Sequence, residues 1–319
     1  MNTTSQPTSQ PQGAAPVVYM TTEITAESLI RIYEALGVPA EGRVAVKIST
    51  GEPGGHNFLN PQLIAPLVRK VGGTIVECNT AYGGARDTTE GNLAAARDHG
   101  YCDIAEVDIM DAEGEITLPV RDTTYLKYDV VGSHLLNYDF MVNLAHFKGH
   151  VMGGFGGVLK NQSIGVSSQN GKAYQHSTGH ARTYKEFNDR LAEYDQDWEA
   201  ITDSHDAFHE CMAACAAAVA DHFGPGKIVY IDVMNNLSVD CDCDGAPADP
   251  EMHDIGILAS LDPVALDQAC VDLVFHYPSH EGDDAAALIE RINSRHGIHI
   301  LEHAEAIGLG SRQYTLVNI

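Results

Sequence analysis

The stretch HFKGHVMGGFGGVLKN (146–161) sets His146, Lys148 and His150 at alternate positions. Gly153, Gly154, Gly156 and Gly157 follow, and then a second lysine, Lys160. The preceding DFMVNLA (139–145) is apolar and β-prone, so a strand runs into the motif. If the strand conformation continues, a period of two puts the two histidines and Lys148 on one face. The glycines let the backbone turn sharply and come close to a ligand. Neutral imidazoles ligate nickel, iron or zinc, and near neutral pH they serve as acid or base. His146 and His150 are thus candidates for catalysis and for metal binding. Lys160 is a candidate to hold an anion, to act as a base if desolvated, or to form a covalent adduct. The plain alternative is a strand end whose polar side chains face water above a glycine turn.

A second constellation is NNLSVDCDCDG (235–245). Read as a strand, it puts Cys241 and Cys243 on one face, with Asp240, Asp242 and Asp244 alternating. Two thiolates supply half a zinc or iron shell, and His253 is the nearest further donor in the chain. Flanking aspartates are expected to raise the thiol pKa values. An acidic surface turn with two reduced cysteines is the competing reading. The third constellation is a pair of loops, STGEPGGHN (49–57) and NTAYGGARD (79–87). Gly54, Gly55, Gly83 and Gly84 could offer backbone N–H groups to an anionic ligand or cofactor, with Arg86 and Lys148 as clamps. His176 and His180 lie close behind the glycine motif. His205, His209 and His222 share one helix and read as a solvated face. No Gly-x-Ser-x-Gly elbow is present, which argues against a serine hydrolase.

The elements that must position these groups alternate strand and helix. RVAVKI (43–48) and TIVEC (74–78) read as strands, each followed by one of the glycine loops and then a helix. Asn60-Pro61 and Asp262-Pro263 carry N-cap signatures, and Thr25 caps a helix that Gly37 stops. Helices are expected over 88–99, 205–224, 283–295 and 299–307. Further strands are expected near 115–120, 139–146, 227–233, 254–260 and 314–319. This order predicts an α/β fold, a largely parallel sheet flanked by helices, with ligands bound beyond the carboxyl ends of its strands.

The chain has 319 residues, with 19 basic against 44 acidic side chains and a formal charge of −25. Such a surface repels phosphate backbones and anionic lipid, so nucleic acid and membrane surfaces are poor partners. An anionic small molecule would need a local cluster of Lys, Arg or His. Residues 1–16, rich in Ser, Thr, Gln and Pro, read as a disordered leader. No run of about 18 apolar residues would span a membrane. Seven irregularly spaced cysteines do not form a secreted disulfide pattern, and a cytoplasmic location is expected.

VNLAHFKGHVMGGFGGVLKN, followed by NNLSVDCDCDG, DIGILAS and LDPVALDQA, resembles domain-of-unknown-function family 362 from about Val17 to the C-terminus. Many members carry an inserted ferredoxin-like cysteine cluster, which this chain lacks. More distantly, the run from His150 through the glycines to Lys160, then His176, is similar to the active-site segment of nickel-dependent lactate racemase. That resemblance implies Lys160 as attachment point of a nickel pincer nucleotide, His176 as nickel ligand and His150 as acid or base. Arg86 stands near a second-loop arginine of that family, whereas NTAYGGARD has no counterpart of its histidine. The expectation is a cleft between an N-terminal lobe (17–135) and a C-terminal lobe (136–319). It would hold a small anionic substrate or nucleotide-like cofactor and carry out proton transfer at carbon, as a racemase or isomerase does. The alternative is a non-catalytic metal-binding protein centred on Cys241 and Cys243.

Overall fold

A computed structural model describes residues 15–319; the leader expected over 1–16 lies outside the described residues except for its last two positions. The chain opens with β1 (Val17–Thr21) and α1 (Ala26–Ala35), whose cap Thr25 accepts a hydrogen bond from the Ser28 amide. Then come β2 (Val44–Lys47), α2 (Pro61–Val71), β3 (Gly73–Glu77), α3 (Thr89–Asp98) and β4 (Val107–Ile109). The Asn60 side chain accepts from the Gln62 amide at the start of α2, and Gly72, at φ 60°, ends it. A hairpin-like pair, β5 (Glu115–Leu118) and β6 (Asp129–Gly132), precedes β7 (Phe140–His146). Two short strands follow, β8 (Lys148–His150) and β9 (Gly154–Gly156), then α4 (Val158–Gln162), α5 (Gln169–His176), α6 (Tyr184–Glu193) and α7 (His205–Phe223). The chain closes with β10 (Ile228–Met234), β11 (Gly256–Ser260), α8 (Pro263–Phe275), α9 (Ala286–Ser294), α10 (His299–Ala306) and β12 (Thr315–Asn318).

Eight strands form one sheet in the order β12-β1-β11-β10-β7-β2-β3-β4. The run from β10 to β4 is parallel, while β11 is antiparallel to both of its neighbours. The α/β class and mostly parallel sheet therefore match the sequence pattern. Strands from 17–135 and from 136–319 hydrogen-bond into this single sheet, with β7 seated between β2 and β10.

Both faces of the sheet are covered. Along β10, Val229, Ile231 and Val233 pack with α1 and α2 residues such as Leu29 and Ile64. Ile228, Tyr230 and Met234 pack on the other side with α7 and α8 residues such as Val219 and Leu266. Burial on both sides explains why these strands read as continuous apolar runs. No helix among the described residues is long and apolar enough to cross a membrane.

Candidate functional site

Charged side chains end three adjacent parallel strands: Lys47 on β2, Glu77 on β3 and His146 on β7. A polar residue after an apolar strand is the local signal of a carboxyl-edge site. The strand does not continue through the motif as expected. It breaks at Phe147, and β8 turns away to pair with β9. Gly149 makes this possible, because a Cβ there would run into the backbone carbonyl of Val239. Gly157 likewise leaves room for the Asp267 carboxylate, which accepts the Val158 and Leu159 amides at 2.9 and 3.0 Å. That carboxylate caps α4 and so fixes Lys160.

Behind this edge lies a buried ionic network. Lys47 donates to Glu77 at 2.7 Å and to the Ile48 carbonyl. Arg86 donates through Nε to Glu52 at 2.9 Å, through Nη1 to Thr50 and Glu77, and through Nη2 to the Tyr82 hydroxyl. Burial pushes the Glu77 carboxyl up, but Lys47 and Arg86 outweigh it and hold the group at about 2. Arg86 thus lines the cleft with four of its five N–H groups committed to the protein, not as the free anion clamp that the sequence suggested. The two loops do meet, through Glu52, but their glycines build no phosphate cradle. Gly54 and Gly55 pack on the carbonyls of Gly245 and Asp244, and Gly83 and Gly84 are exposed.

Asp242 joins the first constellation to the second. Its carboxylate takes His146 Nδ1 at 2.8 Å and Lys148 Nζ at 2.9 Å. These two charges hold Asp242 far below the usual carboxylate range despite burial, and Asp242 in turn raises Lys148. His146 Nε2 faces the Asn235 carbonyl at 2.6 Å, so both ring nitrogens point at oxygen acceptors. His146 is fully buried behind the cleft, with no lone pair free for a metal or a ligand proton. The 241–244 segment is a turn closed by the Asp244 amide on the Cys241 carbonyl, not a strand. His253 lies elsewhere, on Asp283.

The histidine that meets the cysteines is His150: it, Cys241 and Cys243 place one donor atom each within 4.8 Å of one another. Contrary to expectation, the Cys241 thiol is pulled well below its ordinary value. The Cys243 thiol hydrogen-bonds to it, and Lys160 and Lys148 outweigh burial and the opposing Asp242. His150 Nδ1 accepts the Gly153 amide at 2.8 Å and the Met152 amide at 3.3 Å. Its neutral ring therefore carries the proton on Nε2, leaving no unengaged lone pair for an ion. Burial, then the charge of Lys160, keeps it neutral.

These groups border a cavity of about 480 Å³, a size that suits a small ligand. Five of the chain's 19 basic side chains line it: Lys47, Arg86, Lys148, Lys160 and Lys172. Lys47, Arg86 and Lys148 have carboxylate partners. Among the described residues the Lys160 ammonium has one polar partner, the Cys241 sulfur at 4.0 Å, and Lys172 donates to the Ser167 carbonyl at 2.6 Å. Among the described residues, neither has a carboxylate within ion-pair distance. Lys172 and His176 stand one turn apart on α5, and His176 Nδ1–H donates to the Lys172 carbonyl at 2.8 Å. That bond fixes the tautomer and leaves the Nε2 lone pair free. Burial lowers His176 to about 4, with the Lys160 and Lys172 charges adding to it. Trp198 and Phe208 pack on its ring.

Lys47, Glu77 and Lys172 are further members of this cleft that spacing alone did not mark as site residues, and Asp242 enters as the partner of His146 and Lys148. His209, read as solvated, is buried and bonds the Arg295 carbonyl. His180 points away, to Asp203.

A family model described as a domain of unknown function, DUF362, matches residues 44–272, well over half of the chain. No curated protein matches. Among solved structures, the lactate racemase apoprotein from Thermoanaerobacterium thermosaccharolyticum is similar at 13% identity with a TM-score of 0.42. The match covers 81% of this chain and 57% of that one, so the chain spans little more than half that protein's length.

Proposed function

The chain belongs to DUF362, and we propose that its cavity is the active site of an enzyme that binds a small anion and moves a proton at one of the anion's carbon atoms. The observation that carries this reading is a pair of neutral histidines held in opposite tautomers. His176 presents a free Nε2 lone pair, the base that takes the proton, and His150 an Nε2–H that donates a hydrogen bond to the negative charge that develops. Lys160 and Lys172, whose charges no carboxylate offsets, hold the anion and favour the carbanion-like charge that develops when the proton leaves. Lys47, Arg86 and Lys148 are neutralised supports that keep the wall polar and rigid.

A nickel pincer nucleotide fits these residues only in part. Lys160 and His176 do face the cavity, but loop 79–87 has no histidine and Arg86 is committed to Glu52 and Glu77.

The test is solvent exchange. Small 2-hydroxy and 2-amino carboxylates are incubated with the protein in D2O, and deuterium at the α-carbon is followed by NMR. Exchange on at least one of them is expected, with loss in His176→Ala and in His150→Ala. A further expectation is that phosphate or citrate raises the wild-type Tm but not that of Lys160→Ala/Lys172→Ala. Equal stabilisation of both proteins, together with no exchange, overturns the reading.

A further inference from the structure

Cys241 and Cys243 take no part in the proton transfer proposed above, yet they differ from the other five cysteines. Cys78, Cys211, Cys215 and Cys270 are buried, and apolar burial raises each thiol. Cys102 is exposed on the surface away from the cavity, and of the seven only Cys78 joins the 241/243 pair in the cavity wall. The turn closed by the Asp244 amide on the Cys241 carbonyl folds residues 241 and 243 back toward each other. Both sulfurs then come within 4.8 Å of a His150 ring nitrogen and of each other.

Every element packed against Cys241 brings a donor or a charge. Lys160 of α4 places Nζ 4.0 Å from its sulfur, and the Lys148 stem of β8 runs beside the Lys160 stem across Gly156. His150, also of β8, carries an N–H and no free lone pair. Of the acids around the turn, Asp242 is neutralised by His146 and Lys148, Asp240 pairs with Arg291, and Glu52 pairs with Arg86. The Tyr82 hydroxyl, in the same cavity wall, donates to Glu52 and is pushed up by burial, so it adds no negative charge. Such a setting favours a thiolate on Cys241 with Cys243 as its thiol partner.

We propose that Cys241 and Cys243 form a dithiol–disulfide exchange centre in the cavity wall, taking a small, negatively charged organic disulfide as electron acceptor. The Cys241 thiolate attacks one sulfur of the acceptor, forms a mixed disulfide and expels the other half as a thiolate. The Cys243 thiol gives its proton to that leaving thiolate, and its sulfur attacks Cys241. The second half leaves as a thiolate, and a Cys241–Cys243 disulfide remains. Two electrons pass from the protein sulfurs to the acceptor, and no other reactant is consumed. Lys172, and Lys160 once the Cys241 sulfur has entered the mixed disulfide, account for the preference for a negatively charged acceptor. A metal on the same trio is disfavoured, because the His150 lone pair is occupied by two backbone amides.

The probe is 5,5′-dithiobis(2-nitrobenzoate), an anionic disulfide, applied to the full chain carrying Cys102→Ser to remove the exposed thiol. A fast phase is expected that releases two thionitrobenzoates per chain and leaves a 241–243 disulfide, visible by peptide mass. Cys243→Ser should stop at the mixed disulfide on Cys241 after one release, and Cys241→Ser should lack the fast phase. The rate should stay nearly flat from pH 6 to 8, whereas an ordinary thiol with pKa near 8.5 gains roughly tenfold per pH unit at first. Two results overturn the proposal. One is an unchanged fast phase in Cys241→Ser chains whose urea midpoint matches the parent. The other is a pair that never oxidises but gives intense thiolate-to-cobalt absorption when Co(II) alone is added.

Discussion

Replacing Glu77 by glutamine removes the carboxylate at the centre of the cleft's ionic floor while keeping its volume. Glu77 accepts from Lys47, Arg86 and the Thr50 amide in a setting almost closed to water. Its carboxyl stands at about 2 in the folded protein against an ordinary value of 4.5. At about 1.4 kcal/mol per pKa unit, that difference corresponds to roughly 3 kcal/mol of stability in the ionised state. Breaking a buried pair by removing one partner costs about 3–5 kcal/mol. The lower end applies here, because burial already depresses Lys47 and lets it shed its proton once its counter-ion is gone. The sign follows from the direction of the shift. A depressed carboxylate stabilises the fold above its unfolded pKa, and that contribution is lost as pH falls from about 4.5 toward 2. Urea unfolding of wild type and Glu77→Gln should therefore differ by about 3 kcal/mol at pH 7, with the gap narrowing steadily below pH 4.5. A gap under about 1 kcal/mol at pH 7, or one that is the same at pH 2.5 as at pH 7, would refute the network as described.

Other perturbations separate the supports from the reacting groups. Asp242→Asn leaves Lys148 and His146 without their shared acid, and urea unfolding should show a loss of about 3 kcal/mol or more. Gly149→Ala drives a Cβ into the Val239 carbonyl and should cost about 1–3 kcal/mol, with reduced hydrogen-exchange protection of the residue 149 amide, which donates to the Ser238 carbonyl. The deuterium exchange proposed for the cleft should hold from neutral pH down toward about 4 and then fall, because the His176 lone pair is taken by a proton there. A profile that declines near the ordinary histidine value of about 6.5 would remove His176 as the base.

Much of the framework was legible in the sequence because its signals are local. The caps at Thr25, Asn60 and Asp262 and the apolar runs of β2, β3, β10 and β11 each follow from a few neighbouring residues. His150, Lys160 and His176 were legible for the same reason, and all three line the cavity. What spacing could not show were long-range pairings. Alternation put His146 with His150, but a break at Phe147 sends one to Asp242 and the other to the cavity. Arg86 looked free because the glutamates that bind it stand 34 and 9 positions away. The aspartates beside Cys241 suggested a raised thiol, yet Asp242 is cancelled by His146 and Lys148, and Lys160 arrives from another element.

The seating of β7 between β2 and β10 has a kinetic consequence. Its two neighbours lie far before and far after it in the chain, so each pairing closes a long loop, and folding of this sheet is expected to be slow. A nascent chain that has paired β2, β3 and β4 already carries Lys47, Glu77 and Arg86 in register and paired with one another, but the opposite wall of the cavity is not yet there. Asp242 and the two sulfurs arrive only after β10 has docked. Until then Lys148 has no counter-charge, and the wall that divides the cavity from solvent is missing. The anion binding proposed for the cleft would thus need the completed sheet, and its recovery during refolding would report the docking of β10 rather than the collapse of the core.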